Sequence, residues 1–411
     1  MMQTLTATNE IDLRAEADNS SASWVSRVVM LGATSIVVGI LWDISWHRTI
    51  GRDTFWTPAH MAIYLGGMLG GLTAGWLVVH TTFFADERER SASVRLWGFR
   101  APIGAWVTIW GCLAMLTSAP FDNWWHDAYG LDVKILSPPH TILALGMWSV
   151  VLGSLLLVLR QQNNAASLPL GQSTSSPTTE SNSITGRWFF IYGSGVLLAM
   201  ASVFLIEGSF PNQQHTDWFF RASAATYPLY LVGMARAAKF RWSATLIALA
   251  YMLIVAVMAW VLPLFPGEPK LGPISNRIDR FVPLPFPLLL VVPAFGLDLA
   301  RHWIGAGRGW VRDWLIVVFS AFVFVGLFGV TQWFFAKFLL TSGAHNWFFA
   351  ADRHWGYTES LGAWRQQFWD VVDSKDNAPA TWRTFGVAML VAAVSCRIGL
   401  SLGNWMSKVR R

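Results

Sequence analysis

Long apolar runs recur along almost the whole chain and restrict it to the folds that a lipid bilayer permits. A helix of about 20 apolar residues crosses the roughly 30 Å of hydrocarbon in a membrane. Because no water is present there to satisfy the backbone, runs of this length span as helices. Hydrophobic residues make up 54% of the sequence and charged residues only 13%, which agrees with a membrane protein. The runs lie at 24–45, 57–80, 99–120, 138–159, 188–208, 222–237, 242–264, 283–300, 313–334 and 384–404.

The runs predict an all-α protein, a polytopic membrane helix bundle of about ten transmembrane helices that contact the lipid bilayer. A segment at 161–186, rich in Ser, Thr, Asn and Gln, is predicted to be a disordered linker. It separates a four-helix module at 24–160 from a module of about six helices at 187–411, which includes an extracytoplasmic segment at 335–383. Residues 1–23 are polar and are predicted to form a tail that is disordered or lies on the membrane surface.

Lys and Arg residues set the expected orientation, because the cytoplasmic loops of membrane proteins carry an excess of them. With the N-terminus inside, most of the 30 Lys and Arg residues fall on the cytoplasmic side. We therefore expect an integral protein of the bacterial inner membrane, and we attribute the net charge of +6 to topology rather than to a nucleic-acid partner. The two cysteines both lie in apolar runs, so neither a disulfide framework nor a thiolate metal site is predicted.

Two stretches of the four-helix module repeat the same residues at almost the same spacing. The first copy contains Asp43, His47, Gly51, Asp53, Pro58 and His60, and the second contains Asp122, His126, Gly130, Asp132, Pro138 and His140. The first four members are offset by 79 positions and the last two by 80, so one inserted residue explains the difference. Later segments such as TYPLYLVGMA carry weaker echoes, which predicts a bundle of hairpin-like repeats. Each copy falls in a turn that we expect near the extracytoplasmic side.

The repeated residues have the pattern of a metal-ligand set. An Asp and a His four residues apart lie on one face of a helix, and the second His returns from the start of the next helix. Imidazole and carboxylate donors suit copper, zinc or iron. The predicted ligands are Asp43, His47 and His60 in the first copy and Asp122, His126 and His140 in the second. Alternatively, the carboxylates are paired for another purpose, because an unpaired one is costly beside an apolar segment.

A second acidic residue follows the first histidine of each copy by six positions. Asp53 and Asp132 are predicted to accept a hydrogen bond from a ligand imidazole and so to orient it. Alternatively, they cap the following helices or pair with Arg52 and Lys134. The residues alone leave both interpretations open.

The first copy, Asp-x3-His-x12-His with the surrounding WH, RDT and TPxH, resembles the metal motif of a known family. It is similar to that of the C subunit of the copper membrane monooxygenases, which include the particulate methane and ammonia monooxygenases. The second copy, Asp-x3-His-x13-His, is similar to the second metal motif of that subunit, where we expect Asn at the position of Asp122. The resemblance covers roughly residues 24–240, and residues 241–411 have no recognised counterpart.

The resemblance implies a copper-dependent membrane monooxygenase, or its metal-binding subunit, that uses dioxygen to hydroxylate a small apolar substrate or ammonia. It implies one or two copper ions, held by the two sets separately or together, and it implies other membrane subunits or a homo-oligomer. The alternative is a non-catalytic membrane copper protein that stores or delivers copper or stabilises a complex. The sequence contains no nucleotide-binding motif, so nucleotide-driven pumping is not expected.

Overall fold

A computed structural model describes the backbone of residues 2–51, 54–130, 137–165, 177–238, 241–305, 309–351, 353, 355–359 and 378–411. Side chains are described within these ranges from residue 24 onward, apart from 165, 177–184 and 207. The predicted fold class is confirmed, because the described residues form eleven α-helices and a single two-stranded sheet. The protein is an all-α polytopic helix bundle.

The helices follow the apolar runs closely. They are α1 (Met2–Thr49), α2 (Pro58–Phe83), α3 (Glu87–Ser91), α4 (Ile103–Tyr129), α5 (Pro138–Ala165), α6 (Pro177–Val203), α7 (Asp217–Ala238), α8 (Ser243–Val261), α9 (Val291–Ile304), α10 (Trp310–Leu339) and α11 (Trp382–Met406). Between α3 and α4, strands β1 (Val94–Leu96) and β2 (Phe99–Ala101) pair antiparallel, with Val94 opposite Ala101. The helices α6 and α7 are joined by short 3₁₀ turns at Ile206–Ser209 and Pro211–Gln213.

Eight helices in the described ranges are long and apolar enough to cross a membrane, which makes this an integral membrane protein. The segments are Trp24–Thr49, Pro58–Phe83, Ile103–Tyr129, Pro138–Asn164, Thr185–Val203, Ser243–Leu264, Trp310–Leu339 and Trp382–Met406. They correspond to eight of the runs found in the sequence.

The other two runs take different forms. The run at 222–237 lies in α7, which is helical but is not among the helices apolar enough to span. The run at 283–300 is helical only from Val291, where the 14-residue α9 begins. Three alternate prolines, Pro283, Pro285 and Pro287, precede that point. Proline lacks the amide hydrogen that a helix interior needs, so this part of the run is not helical.

The polar segments of the chain are partly helical. Helix α5 extends into the predicted linker as far as Ala165, and α6 begins within it at Pro177; residues 166–176 lie outside the described residues. Helix α1 begins at Met2, so the backbone of the predicted tail is helical. In the predicted segment 335–383, α10 continues to Leu339 and turns follow, while 360–377 are also outside the described residues.

The chain forms two compact units. Unit 1 comprises Met1–Ile36, Tyr64–Gly193 and Val409–Arg411, and unit 2 comprises Val37–Ile63 and Ser194–Lys408. The first motif copy therefore belongs to unit 2 and the second copy to unit 1.

Glycine contacts hold the helices of unit 1 close together. A Cβ atom added to Gly146 of α5 would lie 2.7 Å from the carbonyl oxygen of Gly111 in α4, so the two backbones touch. Gly66 of α2 and Gly32 of α1 make the same contact, with 2.4 Å from a Cβ on Gly66 to the Gly32 oxygen. Small residues allow this approach between membrane helices. The two pairs are related by the same offsets of 79 and 80 as the motifs, so the repeat extends into the packing.

Unit 2 has an aromatic core and a charged helix cap. Phe219, Tyr227, Phe324 and Phe328 are among its largest fully buried side chains. The carboxylate of Asp298 in α9 accepts hydrogen bonds from the amide nitrogens of Ala244 and Thr245 at 3.2 and 2.9 Å. These are unsatisfied donors at the start of α8, so Asp298 fixes where α8 begins.

Candidate metal sites

Both motif copies reverse the chain direction in the same way. The first helix of each copy ends before a glycine, Gly51 or Gly130, and both glycines have φ +83°. This left-handed conformation favours glycine and commonly terminates helices. The Gly130 amide donates to the carbonyl oxygen of His126 at 3.0 Å, and the Gly51 amide donates to that of Trp46 at 3.3 Å.

The second helix of each copy starts with the same cap. The Thr57 hydroxyl oxygen accepts from the His60 amide at 3.3 Å, and the Ser137 hydroxyl oxygen accepts from the His140 amide at 3.4 Å. A hydroxyl in this position satisfies an amide in the first turn of the helix. The cap therefore places the second histidine of each copy in the first turn, facing back towards the preceding helix.

In unit 2 the first set of side chains meets at the carboxylate of Asp43. The Nε2 atom of His47 lies 3.7 Å from Oδ2 of Asp43, and the Nε2 atom of His60 lies 3.3 Å from Oδ1. The Asp43 side chain is 14% exposed, whereas His47 is 47% exposed. The carboxylate is thus largely buried, and one imidazole is accessible.

In unit 1 the second set meets at Asp122 in the same manner. The Nε2 atoms of His126 and His140 lie 3.5 and 3.6 Å from Oδ1 of Asp122. All three side chains are about one-third exposed, at 32% for Asp122, 29% for His126 and 38% for His140. The structure therefore brings together the three predicted residues of each copy.

Backbone carbonyl groups fix the rings of two histidines. The Nδ1 atom of His60 lies 3.0 Å from the carbonyl oxygen of Thr54, and the Nδ1 atom of His126 lies 3.0 Å from that of Gly130. Because a carbonyl oxygen only accepts, Nδ1 of each ring carries the hydrogen. In the neutral ring the lone pair is then on Nε2, the atom that faces the carboxylate. His140 Nδ1 lies 3.0 Å from the Ser137 hydroxyl oxygen, which can either donate or accept.

This arrangement calls for a positive charge between each carboxylate and its imidazoles. Oδ1 of Asp43 and Oδ1 of Asp122 are buried, and within the described part of the chain no group donates a hydrogen bond to either. A neutral Nε2 lone pair facing a carboxylate is unfavourable, and either a proton on the ring or a cation between the donor atoms relieves it. The donor chemistry and these unsatisfied oxygens fit a metal ion.

The distances between the donor atoms of each set are close to those in a metal site, but the sets are not yet arranged around one point. Two donor atoms that each lie about 2.1 Å from one tetrahedral ion are about 3.4 Å apart. The carboxylate-to-imidazole separations run from 3.3 to 3.7 Å. Among the described side chains, no three His, Cys, Asp or Glu residues already have the geometry of an assembled metal site. Small side-chain rotations are therefore needed to close either set around an ion.

Within unit 2, distant segments hold the turn that carries the first set. The amide of Val282 donates to the Thr49 hydroxyl oxygen at 2.9 Å, and the Ser45 hydroxyl donates to the Val282 carbonyl oxygen at 2.6 Å. The Arg48 guanidinium pairs with Glu359 at 3.3 Å. These bonds fix the end of α1 from which Asp43 and His47 project.

Aromatic residues alternate with the second set along the last turns of α4. Trp125 and Tyr129 have ring centroids 4.5 Å apart, and Phe121 stacks on Trp124 at 5.8 Å. Trp124 and Tyr129 are nevertheless 53% and 67% exposed. Such exposed aromatic rings at the end of a membrane helix are typical of the membrane–water interface.

The groups that contact the Nδ1 atoms of the histidines in the described residues differ from the predicted ones. Asp53 and Asp132, the predicted acceptors, lie outside the described residues. The acceptors in the described residues are the carbonyl groups of Thr54 and Gly130. A backbone carbonyl has no signature in the sequence. The Ser137 hydroxyl does have one, since a Ser or Thr precedes the Pro-x-His of both copies.

Comparison of the chain with protein-family models, with curated proteins and with solved structures finds no match. The resemblance of the two motif copies to those of the copper membrane monooxygenases therefore stays a prediction from their spacing.

Proposed function

We propose that this protein is a membrane copper protein that acts as a copper-dependent monooxygenase or as the metal-binding subunit of one. The observation that carries the proposal is the convergence of two imidazoles on one carboxylate in both copies of the repeat. Zinc and iron also accept this donor set, and the motif spacing favours copper through the family resemblance. The proposed reaction is hydroxylation of a small apolar substrate or ammonia with dioxygen.

Each residue has a defined part in this proposal. Asp43, His47 and His60 would hold one ion in unit 2, and Asp122, His126 and His140 would hold another in unit 1. When bound, copper would supply the redox chemistry that activates dioxygen. The carboxylates would balance the charge of a bound ion, and the carbonyl groups of Thr54 and Gly130 fix the rings of His60 and His126 with Nε2 free of hydrogen in the neutral form. The apolar helices limit the access of water and favour the entry of apolar molecules.

Metal stoichiometry in a double variant tests the binding step. Wild-type protein in lipid nanodiscs, loaded with copper and freed of excess metal, should retain one or two ions per chain. Combining His47→Ala with His126→Ala should remove most of this metal without loss of helical content. The matched control combines His302→Ala with His345→Ala, because both side chains are exposed and outside the sets. Equal copper retention in the two double variants would overturn the assignment.

A non-catalytic role in copper storage or delivery is the second candidate. Its support is the accessibility of the donors, since every side chain of the second set is about one-third exposed. Such a site exchanges its metal with solution more readily than a closed one. Oxygen uptake by reduced, copper-loaded protein separates the two candidates. Uptake that depends on a short-chain hydrocarbon or ammonia and is lost in His60→Ala supports the monooxygenase; uptake that no substrate changes supports the carrier.

We also propose the bacterial inner membrane as the location, with both sets near the extracytoplasmic side. The turns from α1 to α2 and from α4 to α5 carry the sets, and the connection from α2 to α4 lies at the opposite ends of these helices. That connection contains Arg88, Arg90, Arg95 and Arg100. An excess of arginine is characteristic of cytoplasmic loops.

A further inference from the structure

Unit 1 contains a cleft at the helix ends opposite its motif turn. The cleft is partly open to the outside, and its walls come from α1, α2, α3 and α5. It lies where the spans Pro58–Phe83 and Pro138–Asn164 end and the span Trp24–Thr49 begins. The cleft is therefore at the level where lipid headgroups meet the hydrocarbon layer.

One basic and one acidic side chain belong to the walls of this cleft. Arg160 of α5 and Glu89 of α3 both line it, and the Glu89 carboxylate is close enough to act electrostatically on the Arg160 guanidinium. The Nε atom of Arg160 is buried and, in the described residues, has no hydrogen-bond acceptor. The Asp86 carboxylate accepts from the Glu89 amide at 2.7 Å, which fixes Glu89 in the first turn of α3.

An aromatic wall stands beside these charges. The rings of Trp76 and His80 stack with centroids 4.9 Å apart, and Trp24 contacts Trp76 at 5.0 Å. Trp76 is 42% exposed and lines the cleft together with His80. These rings give the cleft one aromatic wall beside Arg160 and Glu89.

The charges select the kind of molecule that fits. A simple anion would be attracted by Arg160 but repelled by Glu89. A simple cation would be attracted by Glu89 but repelled by Arg160. A zwitterion with phosphate and ammonium groups satisfies both side chains at once. The apolar residues Val25, Leu77 and Leu157 complete the walls and suit the glycerol and upper acyl region of a lipid.

We propose that this cleft binds the headgroup of a zwitterionic aminophospholipid from the bilayer, with the phosphate at Arg160 and the ammonium group at Glu89. A primary ammonium group donates up to three hydrogen bonds, whereas a trimethylammonium group donates none. The cleft therefore distinguishes phosphatidylethanolamine from phosphatidylcholine through Glu89. The position at the ends of membrane spans favours a bilayer lipid over a soluble phosphate ester of the same chemistry.

Native mass spectrometry of protein released from nanodiscs tests the proposal. The nanodiscs contain phosphatidylethanolamine, phosphatidylcholine and phosphatidylglycerol in equal amounts. We expect the wild type to retain phosphatidylethanolamine over phosphatidylcholine by on the order of fivefold, the ratio that one additional hydrogen bond provides. Glu89→Gln should bring this ratio close to one. The matched control is Glu87→Gln, which changes an exposed carboxylate on the same short helix and should leave the ratio unchanged.

Arginine variants test the other half of the site. Arg160→Gln should lower retention of all three lipids, and Arg160→Lys, which keeps the charge, should restore part of it. Helical content measured by circular dichroism shows whether the two Arg160 variants fold. If Arg160→Gln fails to fold, the comparison of Glu89→Gln with Glu87→Gln still tests the proposal. Three results would overturn the proposal: no preference in the wild type, equal effects of the two Glu variants, or full displacement of the lipid by glycerophosphoethanolamine. None of these measurements depends on bound metal.

Discussion

Replacing Gly146 with alanine should destabilise the protein by forcing α4 and α5 apart. The added Cβ would lie 2.7 Å from the Gly111 carbonyl oxygen and 2.9 Å from the backbone nitrogen of Met115. Both atoms belong to the backbone of α4, so no side-chain rotation relieves the contact. The helices must separate by about 0.7 Å to reach an ordinary contact of 3.4 Å.

Two opposing contributions set the size of the effect. Overpacking of this kind costs about 1–3 kcal/mol, whereas alanine is favoured over glycine within a helix by about 1 kcal/mol. The free energy of unfolding should therefore fall by up to about 2 kcal/mol. The same separation would lengthen the 3.6 Å contact between Asp122 on α4 and His140 on α5, so copper proposed for the second set should be held less tightly.

Gly75→Ala is the matched control. Gly75 is also inside a helix of unit 1, and nothing lies within 4 Å of an added Cβ. Only the helix propensity changes there, so this variant should be as stable as the wild type or more stable by up to about 1 kcal/mol. Unfolding is followed by circular dichroism in lipid–detergent micelles. The same change in stability for both variants would refute the close-contact argument.

Three further predictions concern stability, pH and topology. Thr49→Val should lower the free energy of unfolding by about 1–3 kcal/mol, because it leaves the buried amide of Val282 without its acceptor. Burial lowers the pKa of His215 to about 4, so the folded state favours the neutral ring, and stability should decline as the pH falls from about 6.5 to about 4. In a cysteine-free background, an impermeant thiol reagent applied to intact cells should label Asn123→Cys and not Ser91→Cys.

For each of these three predictions, one experimental result would contradict it. Thr331→Val removes a hydroxyl that donates only to Leu327 within α10, so a loss equal to that in Thr49→Val would contradict the role given to Thr49. A His215→Gln variant whose thermal stability has the same pH dependence as the wild type would exclude His215 as the cause. Labelling of Ser91→Cys alone would invert the proposed orientation.

The sequence predicted the membrane fold because apolar length determines it directly. Two apolar runs that were predicted to span the membrane do not form spanning helices, so hydropathy alone does not predict the structure of every run. The run 283–300 is apolar enough, but Pro283, Pro285 and Pro287 delay the helix until Val291. A hydropathy average does not register the missing amide hydrogens. The prolines themselves were visible, so attention to backbone hydrogen bonding would have placed the start of α9 correctly.

The ligand sets were visible in the sequence because their spacing is repeated, but their surroundings were not. Arg48 pairs with Glu359, 311 positions away, and no local pattern links the two. The carbonyl groups that orient His60 and His126 are equally hidden, since any residue at Thr54 would supply the same oxygen. Local spacing therefore predicted which side chains meet, and only the folded chain shows what holds them in place.

The two copies agree in the features that position the donor atoms and differ in the charge beside them. Both have a left-handed glycine, a hydroxyl cap and a carboxylate between two imidazoles. The residue after the first histidine is Arg48 in one copy and Asp127 in the other. Arg48 is paired with Glu359, whereas Asp127 accepts from the amide of Asn123 at 3.3 Å. Among the described residues, the charge beside the first histidine is therefore balanced by an ion pair in the first copy, whereas in the second copy it is a carboxylate hydrogen-bonded to a neutral amide.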